Sequence, residues 1–140
     1  MLRGVTVLSE EEIRIALELV DAALKGDESY RFVLGCRPDG RLAAYACYGR
    51  VPFTDATYDL YWIVVDPADQ GTGVGRRLLR EVERAVRGLG GRMLLIDTGS
   101  KEELAPARAL YAAEGFREEA RIVDFYGAGN HRITYGKRLR

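Results

Sequence analysis

Three glycines at alternate positions in Gln70-Gly71-Thr72-Gly73-Val74-Gly75 stand between an apolar run and a segment of helical periodicity. A chain can bind an anion through its backbone at such a place, because the unpaired first N–H groups of the helix and the positive end of its dipole converge there. A side chain at Gly73 or Gly75 would hold a diphosphate away from those amides. Arg76 and Arg77 follow in the first turn, where two positive charges oppose the dipole and a phosphate ligand would offset the cost. The loop is not the dinucleotide fingerprint G-x-G-x-x-G. Its third glycine comes one residue early, and no acidic ribose partner stands on the following strand, which Asp97 ends instead. It is not a Walker loop either, since Gly-Lys-Ser/Thr and a magnesium ligand pair are both missing from it. A glycine-rich turn that holds no ligand is the plain alternative.

Such a loop needs a strand before it and a helix after it. Residues 57–65 carry Tyr, Trp, Ile and Val in the proportions of a central strand, and Asp66-Pro67 stops it. Val74, Leu78, Val82, Ala85, Val86 and Leu89 mark the helix, which Gly90-Gly91 ends, and residues 93–96 form the next strand. Strand, helix and strand make a right-handed crossover with parallel strands, which puts the glycine loop at the carboxyl end of the first. Within residues 57–65, strict alternation groups Asp59 with Tyr61 and Ile63, and Trp62 with Leu60 and Val64 as core.

The flanking segments read as follows. Ser9 and Glu12 have capping-box spacing, and Ile13, Leu17, Val20 and Leu24 continue an amphipathic helix. Residues 30–36 and 41–49 form an antiparallel hairpin about Pro38-Asp39-Gly40. With Arg37 near Arg41, Cys36 faces Leu42 and Cys47 faces Arg31, too far apart for a disulfide at ~3.4 Å per residue. Pro106 opens a third helix with Ala107, Leu110 and Ala113 inward, Gly115 as its stop and Phe116 as the apolar contact beyond. Residues 117–125 and 131–139 flank Tyr126-Gly127-Ala128-Gly129-Asn130, a closing hairpin with a five-residue loop.

The 140 residues suit a single α/β domain spanning 1–140. Twenty-one basic and twenty-one acidic side chains cancel, which argues against a nucleic-acid or membrane-surface partner. The longest apolar run, residues 60–65, is far short of the ~20 that cross a bilayer. Acidic Glu10-Glu11-Glu12 follows Met1 too closely for a signal core, so a cytoplasmic location is expected. Two widely spaced cysteines and the lone His131 offer no metal-ligand spacing, so no metal is expected.

Two segments carry a resemblance. Val65-Asp66-Pro67-Ala68-Asp69-Gln70-Gly71-Thr72-Gly73-Val74-Gly75 is similar to the Gln/Arg-x-x-Gly-x-Gly/Ala signature of the GNAT superfamily of acyl-CoA-dependent N-acyltransferases. Ala109-Leu110-Tyr111-Ala112-Ala113-Glu114-Gly115-Phe116 resembles its second motif, Leu-Tyr-x-x-x-Gly-Phe, and the likeness covers roughly residues 30–139. It implies a mixed, mostly antiparallel twisted sheet of about six strands with a central β-α-β crossover and about three helices, and acetyl-CoA as donor. By that likeness the amides from Gly71 to Gly75, with Gln70, Thr72, Gly73, Val74, Arg76 and Arg77, hold the pyrophosphate. The backbone of Ile63, Val64 and Val65 pairs with the pantetheine arm where two parallel strands splay apart.

Acyl transfer to an amine needs a neutral nucleophile, a site for oxyanion charge and a proton for the departing thiolate. The resemblance places the phenol of Tyr111 where the family protonates the coenzyme A sulfur; packing with a wet hydroxyl is the plain alternative. Asp59 stands eleven residues before Gln70, where many GNAT enzymes carry a glutamate that takes the proton of the amine, and Asp97 is the second choice. A solvated edge carboxylate is the plain reading of Asp59. The acceptor is expected to be a small-molecule or peptide amine. About thirty residues precede the first hairpin where the family opens with a strand and two helices, so a homodimer that completes the acceptor pocket is expected. An acyl-CoA-binding module without transfer, or a nucleotide-binding domain, would use the same loop.

Overall fold

The structure, a computed structural model, describes residues 29–140; the helix expected over residues 9–24 lies outside them. Six strands make one sheet: β1 (Arg31–Cys36), β2 (Leu42–Arg50), β3 (Thr57–Val65), β4 (Met93–Gly99), β5 (Arg117–Gly127) and β6 (Asn130–Arg138), in the order β1-β2-β3-β4-β6-β5. Among the described residues only β3 and β4 run parallel, and the other pairings are antiparallel. Two α-helices are present among the described residues, α1 (Val74–Gly88) and α2 (Ala105–Ala113); of the helices expected, the one over residues 9–24 falls outside. No described helix is long and apolar enough to cross a membrane.

The helix α1 follows from its apolar spacing: Leu78, Leu79, Val82 and Val86 are buried, and they meet Ala44, Ala46, Tyr48, Tyr58, Leu60, Leu94 and Ile96 of the sheet. Both helices stop by one device. Gly115 takes φ +92°, its N–H donates to the Ala112 carbonyl at 3.1 Å, and the Phe116 N–H reaches the Tyr111 carbonyl at 3.0 Å. These are the paired bonds of a Schellman motif, and Phe116 packs on Tyr111 with ring centroids 6.4 Å apart. The Leu-Tyr-x-x-x-Gly-Phe spacing therefore has a structural content of its own, since it anchors the last turn of α2.

Three registers depart from expectation. In β1–β2, Cys36 faces Leu42 as anticipated, but a bulge next to Gly35 shifts the remainder by one, so that Cys47 opposes Phe32 rather than Arg31. Both thiols are free, Cys36 exposed and Cys47 buried, and burial pushes the Cys47 thiol up to about 12. A thiol reagent at neutral pH should therefore titrate Cys36 alone in the folded chain and both after unfolding; two fast equivalents would show that β2 opens readily.

In β3, Tyr48 opposes Leu60 and Cys47 opposes Trp62, which leaves Tyr61 as an extra residue. The alternation reverses there: Tyr58, Leu60, Ile63 and Val65 all join the core, whereas Trp62 is half-buried. Strict alternation thus misplaced three residues, because Ile63 does not share a face with Asp59, and neither Trp62 nor Val64 shares one with Leu60. In the closing hairpin the loop is only Ala128-Gly129, since a wide bulge between Ile122 and Gly127 takes up the other residues, with Asp124 at φ +59°. His131 belongs to that bulge, its Nδ1 accepting the Asp124 N–H at 3.0 Å.

Candidate active site

The glycine loop is built by local hydrogen bonds. Asp66 ends β3 and its carboxylate accepts the Ala68 N–H at 2.9 Å, which opens one 3-10 turn, Pro67–Asp69. Thr72 Oγ1 donates to the Asp69 carbonyl at 2.5 Å. Gly71 and Gly73 adopt φ +78° and +85°, a region that charges any L side chain strain. Gly73 caps α1 without a side chain, and the first bond over it runs from the Arg77 N–H to the Gly73 carbonyl at 3.1 Å. The N–H groups of Val74, Gly75 and Arg76 precede that bond and open off the helix end.

Parallel pairing of β3 with β4 runs from Thr57–Met93 to Leu60–Ile96 and stops. Beyond it β3 continues against β2 alone, as far as Val65 opposite Ala44, and β4 continues against β6 alone. The two strands therefore splay, and a cleft of about 390 Å³ lies on the helical side of the splay. Ile63 and Val65 form one wall, Gln70, Gly71, Gly73, Val74, Gly75 and Arg76 the mouth, and Pro106, Ala107, Leu110 and Tyr111 the other wall. A Cβ on Gly75 would stand 3.7 Å from Val65 Cγ2 and 3.8 Å from Leu110 Cδ2, so a larger side chain there would fill the cleft. Tyr111, 1% exposed, also lines the cleft, with its ring 5.9 Å from that of Tyr135.

The carboxylates lie on the opposite face of the sheet, since Asp59 falls between buried Tyr58 and Leu60, and Asp97 between buried Ile96 and Thr98. Asp97 Oδ1 accepts from Thr134 Oγ1 at 2.6 Å, and its Oδ2 pairs with Arg132 at 2.9 Å. The Arg132 guanidinium in turn rests 5.1 Å from the centre of the Phe125 ring. Burial holds the Asp59 carboxyl above its ordinary range, and the charge of Asp97 adds to this while Arg132 opposes it. Asp59 is one residue before the last parallel pair, so it stands at the closed end of the splay.

Most of the residues expected at the cofactor line this cleft; Val64, Thr72 and Arg77 do not. Val64 alternates to the other face, Thr72 closes its own turn, and the side chain of Arg77 is exposed. The opposition between Arg76 and the helix dipole is also relieved within the protein: Arg76 lies 3.4 Å from Glu114, whose carboxyl is held low mainly by its bond to Arg80. Asp69, Pro106, Ala107 and Leu110 were not anticipated in the lining. Leu110 had a signal, its place beside Tyr111 in the second motif; Asp69 had none without knowledge of its partner, Arg37.

A mixed sheet that splays beside a glycine-rich helix start, with a buried tyrosine lining the resulting cleft, defines an N-acetyltransferase fold. The chain belongs to the acetyltransferase (GNAT) family, whose model matches residues 6–116. It is 41% identical over 85 residues to the N-alpha-acetyltransferase RimI of Mycobacterium tuberculosis, covering 60% of this chain and 51% of that protein. It is 34% identical over 123 residues to the mycothiol acetyltransferase of Kineococcus radiotolerans, covering 88% of this chain and 36% of that one. The chain thus spans about half or less of these curated relatives. A GNAT-family crystal structure from Desulfovibrio desulfuricans superposes with a TM-score of 0.90 at 42% identity, covering 98% of this chain and 87% of that one.

Proposed function

We propose that the chain moves an acetyl group from acetyl-CoA to a primary amine by direct attack in a ternary complex, in the cytoplasm. The observation that carries this reading is the cleft lined from the helix start, with its open amides at Val74, Gly75 and Arg76, to buried Tyr111, along a strand edge that the splay leaves unpaired. The residues fit such a donor: the amides suit a diphosphate, and the backbone of Ile63, Val64 and Val65 offers a ladder for an amide-bearing arm. When bound, acetyl-CoA supplies the activated thioester carbonyl.

The remaining work falls to side chains. Asp59 accepts a proton from the amine, whose nitrogen forms the new bond to the carbonyl carbon as the C–S bond breaks. Tyr111 gives its phenolic proton to the departing sulfur. Asp59 approaches from one face and Tyr111 from the other, and the gap between β3 and β4 joins them. The two curated relatives are named for different acceptors, so a small-molecule amine and a peptide amine both suit this assignment.

Calorimetry with CoA, followed by a thiol-release screen with acetyl-CoA over amines and peptides, tests the reading; the exposed Cys36 thiol is subtracted as a blank. Binding with turnover on at least one amine is expected. Gly75→Val should raise the dissociation constant for CoA by about tenfold or more, by filling the cleft, with a small change in Tm. Tight CoA binding with no transfer to any amine would leave only a CoA-binding module.

A further inference from the structure

Asp69 puts a carboxylate on the lining of the cleft assigned above to a diphosphate, where like charges repel. That carboxylate is engaged from another part of the fold. Arg37, in the turn between β1 and β2, directs its Nε to Asp69 Oδ1 at 3.3 Å, its terminal nitrogen contacts Asp69 Oδ2, and the same nitrogen lies 3.6 Å from Asp66. The two side chains are 27% and 19% exposed, more sheltered than an ordinary surface pair.

The turn that carries the arginine is closed by backbone hydrogen bonds. The Arg37 N–H donates to the Arg41 carbonyl at 2.7 Å, the Gly40 N–H donates to the Arg37 carbonyl at 2.8 Å, and Gly40 takes φ +88°. The Asp66 N–H reaches the Ala43 carbonyl at 2.8 Å, so the hairpin and the start of the loop are also tied through their backbones. A planar fork held this way neutralises a carboxylate in one fixed direction.

We propose that Arg37 is a positioning residue that masks the charge of Asp69, so that the helical amides meet the diphosphate of a CoA-type ligand without the Asp69 carboxylate opposing it. This rests on the donor assignment above. A mere tether would make a different prediction, because removing Asp69's charge cannot restore a lost tether but can restore the electrostatics.

The test is calorimetry with CoA on the wild-type chain, Arg37→Ala, Asp69→Asn and the double variant at two salt concentrations, with kcat and KM for acetyl-CoA measured in parallel. Arg37→Ala should weaken CoA binding roughly tenfold and raise KM with kcat at saturation nearly kept. The double variant should recover most of that loss, Asp69→Asn should bind at least as well as wild type, and the deficit of Arg37→Ala should shrink as salt screens the charge. Unchanged binding in Arg37→Ala, or a double variant as weak as Arg37→Ala, overturns the proposal. Should Arg37→Ala not fold, Arg37→Gln takes its place, because it keeps a hydrogen-bond donor without the charge. A wild-type chain that ignores CoA removes the donor assignment and this proposal together, whereas wild-type binding with tether-like variants removes only the proposal.

Discussion

Tyr111→Phe should lower kcat by roughly a hundredfold while leaving the affinity for CoA nearly intact. The substitution deletes one oxygen and keeps the ring, so the contacts with Phe116 and Tyr135 remain. The bonds that close α2 are made by the backbone, with the Phe116 N–H on the Tyr111 carbonyl, and do not depend on the phenol. In the proposed mechanism the substitution removes the proton for the sulfur, and positioned proton transfer is worth about 10²–10⁴ in rate. Tyr111→Ala would confuse the two effects, because removing a buried aromatic ring costs on the order of 3–5 kcal/mol of stability. Single-turnover rates that match wild type on several acceptors would take Tyr111 out of the chemistry.

Asp59→Asn should act with opposite signs on activity and stability. In the proposed mechanism the deprotonated carboxylate is the base, so turnover of the wild-type chain should rise with pH through an apparent pKa above the ordinary aspartate value of about 3.9. The asparagine variant should lose that limb and at least about tenfold in kcat. For stability, the folded-state pKa lies above the unfolded one. Its contribution is therefore fully present below the unfolded value and lost as pH rises through the folded value. At neutral pH the half-buried carboxylate, facing Asp97 with Arg132 as the opposing charge among the described residues, is a net cost. Asn removes the charge, so Tm at pH 7 should stay level or rise while turnover falls. A pH profile unchanged by the substitution would move the base elsewhere, with Asp97 next in line.

The cleft, the splay and the pair of opposed faces explain why these two residues can be separated so cleanly. Tyr111 is fixed by a helix terminus on one side of the sheet and belongs to its core cluster, whereas Asp59 is fixed by a strand on the other and does not. Their variants should therefore add in free energy for stability and couple only in turnover.

Much of this was legible in the residues because the signals are local. Gly115 with Phe116 four and five places after Tyr111 dictates a helix stop, and Leu78, Val82 and Val86 dictate a buried face, through contacts only a turn or two apart. The glycines of the loop and the crossover around them are of the same kind. Tertiary structure alone decided the rest. The extra residue at Tyr61 turned Ile63 into the cleft and away from Asp59, and the end of parallel pairing at Leu60 opened the cleft itself. Arg37 found Asp69 across 32 residues of chain. Each of these depends on how neighbouring strands align, and a one-residue slip inverts every side chain beyond it, so no window along the chain contains the partner that sets it.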